Sequence, residues 1–148
     1  MRTNKWETAE GSVAPLGVSR VEAERAYNFA LYSRHATHVS LLLYGADDLI
    51  NPALRLDFDP LKNKSGRVWH CRVPDDQRAN ARYYAYSVDG ESGPMDRFDP
   101  AKVLLDPYAK AVFFPPGFLL WKDRTALCPR SRPKRGSRPW RRRTVRKP

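Results

Sequence analysis

Segments in which apolar and polar residues alternate recur between residues 27 and 88. They span residues 27–32, 39–44, 53–58, 67–73 and 81–88, and turn-forming residues separate them. A period of two is typical of β-strands that bury one face. Residues 39–44 are apolar on both faces, which indicates a strand covered on both sides. Roughly five to seven short strands at this spacing predict an all-β antiparallel sandwich, and no segment before residue 100 has a helical period.

Turn-forming residues predict how these strands connect and where the domain ends. The polar stretch 33–37 and the pair Asp89-Gly90 each suit a hairpin turn. Residues 98–118 combine four prolines with Val, Leu, Tyr and Phe, which predicts an extended segment that packs on a neighbour without forming a central strand. The expected organisation is a flexible leader over 1–10, the sandwich over 11–98, an extended linker over 99–118 and a disordered tail over 119–148.

Charge divides the chain into a neutral body and a basic tail. Residues 1–118 carry 15 Lys and Arg against 15 Asp and Glu, whereas residues 119–148 carry 12 against one. The whole formal charge of +11 therefore lies in the last segment. A flexible polycation attracts phosphates, and Trp140 could stack on a base, so non-specific nucleic-acid binding through the tail is one candidate function.

Several classes of protein are disfavoured by the sequence. No apolar run reaches the roughly 18 residues that a membrane span needs, and the polar start lacks the features of a secretory signal, so we expect a cytoplasmic protein without a membrane partner. Cys71 and Cys128 make no disulfide or zinc framework, and Cys71 is predicted to be a small buried residue. His35, His38, His70 and Cys71 do not converge as metal ligands, and Asp57 and Asp59 have an ordinary turn explanation. We expect no catalytic residue, no metal and no cofactor.

Several motifs, taken in order, resemble a known family. They read PLGV at 15–18, NFALYS at 28–33, WHCRVP at 69–74, YAYSVDG at 84–90, RFDP at 97–100 and LLDPYAKAV at 104–112. Over about residues 11–118 the chain is similar to the N-terminal part of isoamylases and bacterial glycogen debranching enzymes of glycoside hydrolase family 13. The resemblance implies a sandwich of the carbohydrate-binding module family 48 type with an immunoglobulin-like topology.

The resemblance also implies a functional context. In this family the module packs against a catalytic barrel that hydrolyses α-1,6-glucan branches with paired carboxylates, and no barrel motif is present here. The composition changes abruptly after residue 118, which predicts a truncated or frame-shifted product that is inactive alone. A separate barrel chain is the expected partner, and the expected contact residues are Leu105, Pro107, Tyr108, Phe113 and Phe114.

An α-glucan is the other expected partner, because carbohydrate modules stack exposed aromatic rings on sugar faces. The candidates are Trp69 and Tyr83; Tyr84 and Tyr86 are expected in the core, and Trp69 fits a core position equally well. Three functions therefore stay open at this point: an accessory module of a glycogen debranching enzyme, a free-standing α-glucan-binding module, and a basic-tailed nucleic-acid-binding protein.

Overall fold

Two antiparallel β-sheets pack face to face in the computed structural model, which describes residues 10–78, 80–91, 93–94, 97–114 and the backbone of 128–129. The strands are β1 (Gly17–Val21), β2 (Ala26–Tyr32), β3 (Ala36–Tyr44), β4 (Leu54–Asp57), β5 (Lys64–Ser65), β6 (Val68–Pro74), β7 (Tyr83–Gly90) and β8 (Cys128–Pro129), with a single-turn 3-10 helix, Glu22–Glu24, between β1 and β2. The first sheet has the order β1-β2-β6-β5 and the second the order β4-β3-β7-β8. The predicted all-β sandwich with immunoglobulin-like topology is confirmed.

Alternate residues of the paired strands form the main core between the sheets. Phe29 and Tyr84 face each other across the sandwich, and their rings meet edge to face with centroids 5.2 Å apart. Full burial of a side chain of this size stabilises the fold by roughly 1.5–3 kcal/mol. Cys71 is a buried free thiol, as predicted. The buried members of this core are Val18, Tyr27, Phe29, Leu31, Ala36, Val39, Leu41, Leu43, Leu56, Phe58, Trp69, Cys71, Val73, Ala81, Tyr84, Tyr86 and Val88.

Both predicted hairpin turns are wrong. The polar stretch after β2 carries the chain from the first sheet to the second, because β2 pairs with β1 and β6 whereas β3 pairs with β4 and β7. Asp89-Gly90 lies inside β7, where Gly90 pairs with Ala36. A Cβ on Gly90 would lie 2.6 Å from the Phe98 ring and 2.7 Å from the His35 carbonyl oxygen. Glycine is therefore needed here for close packing and not for a turn.

The predicted double coverage of β3 is confirmed. Its inward side chains belong to the main core, and its outward Leu42 and Tyr44 form a second apolar cluster with Ala85 of β7. Leu49, from the loop after β3, and Val103, from the Pro-rich segment, pack over this cluster. The outer face of the second sheet is thus covered by the chain itself at this end.

Gly11 and Ser12, which precede β1, are fixed to the first sheet. The Ser12 amide donates to the Asn28 side-chain oxygen at 2.6 Å, and the Asn28 amide nitrogen donates back to the Ser12 carbonyl at 2.9 Å. A Cβ on Gly11 would approach the Cys71 backbone to 2.6 Å, so the chain passes directly over β6. The flexible leader predicted over 1–10 lies outside the described residues except for Glu10.

The Pro-rich segment packs on the sandwich, which corrects the domain boundary expected at residue 98. The Leu104 amide donates to the Tyr86 carbonyl at 2.7 Å, and the Tyr86 amide donates to the Leu104 carbonyl at 2.9 Å. The Ser87 hydroxyl donates to the Pro100 carbonyl at 2.8 Å. Residues 97–114 are therefore part of this domain, because they pair with the edge of β7 that β3 leaves open.

β8 continues the cover on the same edge of β7. Its two residues pair with Tyr83 and Tyr84, so the expectation of a disordered tail is wrong at Cys128 and Pro129. Exposed strand edges are sites of unwanted pairing, and a covering segment protects them. The other residues of the predicted tail, and residues 115–118 of the predicted linker, lie outside the described part of the chain.

Candidate docking and ligand-binding surfaces

Side chains of the Pro-rich segment divide between the sandwich and solvent. Leu105 packs against the main core, and the Phe113 ring stacks on Tyr83 with centroids 4.8 Å apart. We call the larger exposed apolar residues of residues 104–114 the apolar strip; they are Leu104, Pro107, Tyr108, Val112 and Phe114, and Lys110 among them is exposed too. The exposed fractions of Leu104, Tyr108, Val112 and Phe114 are 41%, 47%, 42% and 54%.

The five residues expected to contact a catalytic barrel lie in two different environments, exposed and partly buried. Pro107, Tyr108 and Phe114 are exposed, so part of each side chain faces solvent. Leu105 and Phe113 are partly buried and contact the sandwich of this chain; their contact with a catalytic barrel stays a prediction. Consecutive residues of an extended segment point to opposite sides, which explains why the neighbours Phe113 and Phe114 differ.

A buried carboxyl fixes the middle of the segment to the core. Asp106 is 3% exposed; it accepts from the Tyr84 hydroxyl at 2.8 Å and from the Tyr108 amide at 2.8 Å. Burial raises the pKa of Asp106, while these two hydrogen bonds act in the opposite direction. The carboxyl therefore holds Tyr108, a residue of the apolar strip, in a fixed place relative to the core.

The two predicted sugar-stacking residues, Trp69 and Tyr83, lie in different environments. Trp69 has no exposed surface; it lies on the inner side of β6, and the Lys64 ammonium lies 4.6 Å from its ring centroid. The expectation that Trp69 stacks on a sugar is corrected, because no ligand reaches a ring inside the core. Tyr83 is partly buried, and Phe113 covers one face of its ring.

The strand register creates a polar surface that the sequence reading missed. Ser40 of β3 pairs with Asp57 of β4 on one side and with Ser87 of β7 on the other. Directly paired residues point to the same face of a sheet, so these three side chains form one row. The row belongs to a cavity of about 390 Å³, the polar cleft, whose polar lining residues are His38, Ser40, Arg55, Asp57, Ser87 and Asp89.

Three side chains on the floor of the polar cleft form a closed hydrogen-bond network. The Ser40 hydroxyl donates to Asp57 Oδ1 at 2.5 Å. The Arg55 guanidinium donates through Nη2 to the Ser40 hydroxyl at 3.0 Å and through Nε to Asp57 Oδ1 at 3.0 Å. Burial acts to raise the pKa of Asp57, but hydrogen bonds from Ser40 and Arg55 and the nearby positive charge lower it overall. Asp57 is therefore a carboxylate at neutral pH.

Other candidate chemistry has a structural explanation. Asp59 Oδ1 accepts from the Leu61 amide at 2.9 Å, so this carboxylate supports a turn and does not pair with Asp57. Within the ranges that the structure describes, no group of three or more His, Cys, Asp or Glu side chains could hold a metal ion. The same ranges contain no helix with the length and apolar character of a membrane span.

Residues 15–109 match the family model of carbohydrate-binding module 48, the isoamylase N-terminal domain. This chain belongs to that family. The match begins just before β1 of the module and ends within the Pro-rich segment, so it includes β1 to β7 and the Asp106 anchor. The family suggested by the sequence motifs is confirmed.

Known relatives of the module are isoamylases and glycogen debranching enzymes by name. It is 41% identical over 114 residues to isoamylase 3, chloroplastic, of Oryza sativa subsp. japonica, covering 72% of this chain and 14% of the relative. It is 40% identical over 108 residues to the glycogen debranching enzyme of Serratia proteamaculans, covering 72% of this chain and 15% of the relative. The chain thus corresponds to the N-terminal module of such enzymes and spans only a small part of their length.

Solved structures share the fold of the module. The pullulanase SAP of Group B Streptococcus, solved in complex with maltotetraose, superposes with a TM-score of 0.60 at 18% identity, covering 82% of this chain and 15% of that one. The catalytic module of the pneumococcal glycogen-degrading protein SpuA gives a TM-score of 0.58 at 18% identity, covering 81% and 16%. At this identity the likeness supports the sandwich fold alone.

Proposed function

We propose that this chain is a non-catalytic accessory module that packs, through the apolar strip, against the catalytic region of an α-glucan debranching enzyme. The observation that carries the proposal is the exposure of the strip on a segment fixed to the core. Aromatic and aliphatic side chains exposed together mark protein contact surfaces more often than they mark plain solvent-facing surface. The catalytic region is the occupant we favour, because this chain covers only 14–15% of the debranching enzymes that it resembles.

The rigidity of the segment supports the same proposal. An interface formed by a preordered segment loses little conformational entropy on binding. Leu104 is fixed by two backbone hydrogen bonds to Tyr86, and Tyr108 follows the buried Asp106. The two largest exposed rings, Tyr108 and Phe114, are the expected centres of binding energy.

Co-purification with a catalytic region tests the proposal. The full chain is co-expressed with the Serratia proteamaculans glycogen debranching enzyme from which the matching N-terminal module has been removed. We expect a one-to-one complex whose affinity falls in the double variant Tyr108→Asp, Phe114→Asp. Loss of two aromatic contacts of this kind costs at least about 2 kcal/mol, or roughly thirtyfold in Kd.

A matched control uses exposed apolar residues elsewhere on the module. Ile50 and Leu61 are 65% and 93% exposed and lie in loops of the sandwich, so the double variant Ile50→Asp, Leu61→Asp should bind like the unaltered chain. The proposal fails if the strip variant binds with unchanged affinity, or if the control variant loses as much affinity as the strip variant.

α-Glucan binding is the second candidate function, and the family description of a carbohydrate-binding module favours it. Retardation of the full chain in a gel containing glycogen tests it independently of any catalytic region. Nucleic-acid binding through the basic tail stays a prediction, since those side chains lie outside the described residues. A cytoplasmic location is likewise a proposal, because the named relatives include chloroplastic plant isoamylases beside bacterial enzymes.

A further inference from the structure

We propose that the polar cleft is an α-glucan contact site that recognises sugar hydroxyl groups through the paired side chains of Arg55 and Asp57. The inference rests on the second candidate function above, glucan binding, and names the place on this chain where it occurs. It does not depend on docking to a catalytic region. The ligand class is a neutral α-glucan chain, and the recognised feature is a pair of neighbouring hydroxyls.

The outer face of the second sheet shows why this surface is available. At one end the chain covers its own apolar side chains, because Leu49 and Val103 pack over Leu42 and Ala85. At the other end the outward residues are polar, and the Pro-rich segment reaches them through the bond from the Ser87 hydroxyl to the Pro100 carbonyl. A concave surface of about 390 Å³ is left there.

The network on the floor leaves a donor and an acceptor side by side. The hydrogen bonds from Ser40 and Arg55 to Asp57 both end on Oδ1, and Arg55 uses Nε and Nη2. Among the described residues, Asp57 Oδ2 and Arg55 Nη1 therefore keep their hydrogen-bonding capacity, since a carboxylate offers about four lone-pair sites and a guanidinium five donors. One sugar hydroxyl donates to the carboxylate while its neighbour accepts from the guanidinium, which is the pairing that a vicinal diol offers.

The network also holds both groups in place before a ligand arrives. Ser40 is 5% exposed, and its hydroxyl bonds to both partners, so the long Arg55 side chain is already ordered. An isolated exposed ion pair contributes little to stability, roughly 0.2–1 kcal/mol. The charged pair is therefore not required for the fold, and its side-chain exposure of 56% for Arg55 and 72% for Asp57 leaves it open to solvent.

The side walls of the polar cleft extend the recognition surface. His38 of β3 pairs with Asp89 of β7, which places a second polar pair one row away from the Ser40 row. Pro100 also lines the cleft; it is exposed and supplies apolar surface for the carbon–hydrogen face of a pyranose. Carbohydrate sites combine such apolar contact with a few placed polar groups.

Titration with maltoheptaose, followed by amide NMR shifts of the full 148-residue chain, tests the proposal. We expect the largest shifts at residues 38–40, 55–57 and 87–89. The double variant Arg55→Met, Asp57→Asn should weaken binding at least about tenfold, because both charge-assisted hydrogen bonds are lost. Arg34→Met serves as the control, because Arg34 is an exposed arginine that lines a different cleft; its Kd should equal that of the unaltered chain.

The outcomes separate this proposal from the docking proposal. Shifts concentrated elsewhere, an unchanged Kd in the double variant, or no binding of maltoheptaose at all would each overturn the polar cleft as a glucan site. None of these results bears on the complex with a catalytic region. A thermal melt of the double variant that matches the unaltered chain confirms that any lost affinity comes from the site and not from unfolding.

Discussion

Tyr84→Phe tests the anchor that fixes the Pro-rich segment to the sandwich. The change removes only a hydroxyl, but it takes away one of the two hydrogen bonds that the buried Asp106 carboxyl accepts from Tyr84 and Tyr108. A hydrogen bond to a charged group contributes about 1.5–3 kcal/mol, and both residues here are almost fully buried. We therefore expect the free energy of unfolding at pH 7 to fall by about 2 kcal/mol.

The pH dependence of this loss follows from the pKa of Asp106. Burial holds the folded-state pKa above the ordinary value of 3.8, so protonation favours the folded form. This stabilisation is fully present below the unfolded-state pKa and is lost as pH rises through the folded-state pKa. At pH 4 much of the carboxyl is already protonated in the folded state, and a neutral hydrogen bond contributes only about 1 kcal/mol. The loss caused by Tyr84→Phe should therefore shrink toward that value.

Urea unfolding followed by circular dichroism measures both values. Tyr44→Phe is the matched control, because Tyr44 is a buried tyrosine of the same sheet on its outer side. It should change the free energy of unfolding by less than about 0.5 kcal/mol. The reasoning is refuted if Tyr84→Phe unfolds like the unaltered chain at pH 7, or if its loss grows as the pH is lowered.

Two further predictions concern packing. Gly90→Ala should lower the free energy of unfolding, measured in urea, by about 1–3 kcal/mol, because the new methyl group meets the Phe98 ring and the His35 carbonyl. Gly45→Ala is the control and should be close to neutral, because the nearest atom to its new methyl group would be 3.9 Å away. Equal losses in the two variants would contradict the packing at Gly90. In a Cys128→Ser background, Cys71 should react with a thiol reagent only on unfolding, because burial raises its pKa and blocks access; rapid labelling of the folded chain would contradict this.

The sandwich could be predicted from sequence because its main determinant is local. Period-two alternation identifies the inward side chains of each strand, so Tyr84, Tyr86 and Val88 were assigned to the core correctly. Strand connections are not local in the same way. A short polar stretch such as 33–37 looks alike whether it turns back within one sheet or crosses to the other, and the choice depends on which strand pairs with β2.

The polar cleft could not be predicted for the same physical reason. Ser40, Asp57 and Ser87 lie far apart in the sequence and meet only because β3 pairs with both β4 and β7. Trp69 shows the complementary error: its ring suggested sugar stacking, whereas its position between Val68 and His70 on β6 places it on the inner face. The period-two alternation of β6 predicts the burial of Trp69, whereas the aromatic ring alone does not distinguish a core position from a sugar-stacking one.

The sequence also does not predict that the Pro-rich segment covers the open edge of β7. Repeated prolines predict an extended chain but not the surface on which it lies. The deciding contact is the pairing of Leu104 with Tyr86, which needs the open edge of β7. The burial of Asp106 is not predicted either, because carboxylates are rarely buried without partners. Its partner here is Tyr84, a residue of the core.

Hydrogen exchange of the full chain, with and without the module-free catalytic region of a related debranching enzyme, measures most directly whether the apolar strip is a docking surface. We predict slower exchange in residues 104–114 on addition of the catalytic region, with the amides of the polar cleft unchanged. Slower exchange confined to other surfaces, or identical exchange in both samples, would contradict the account.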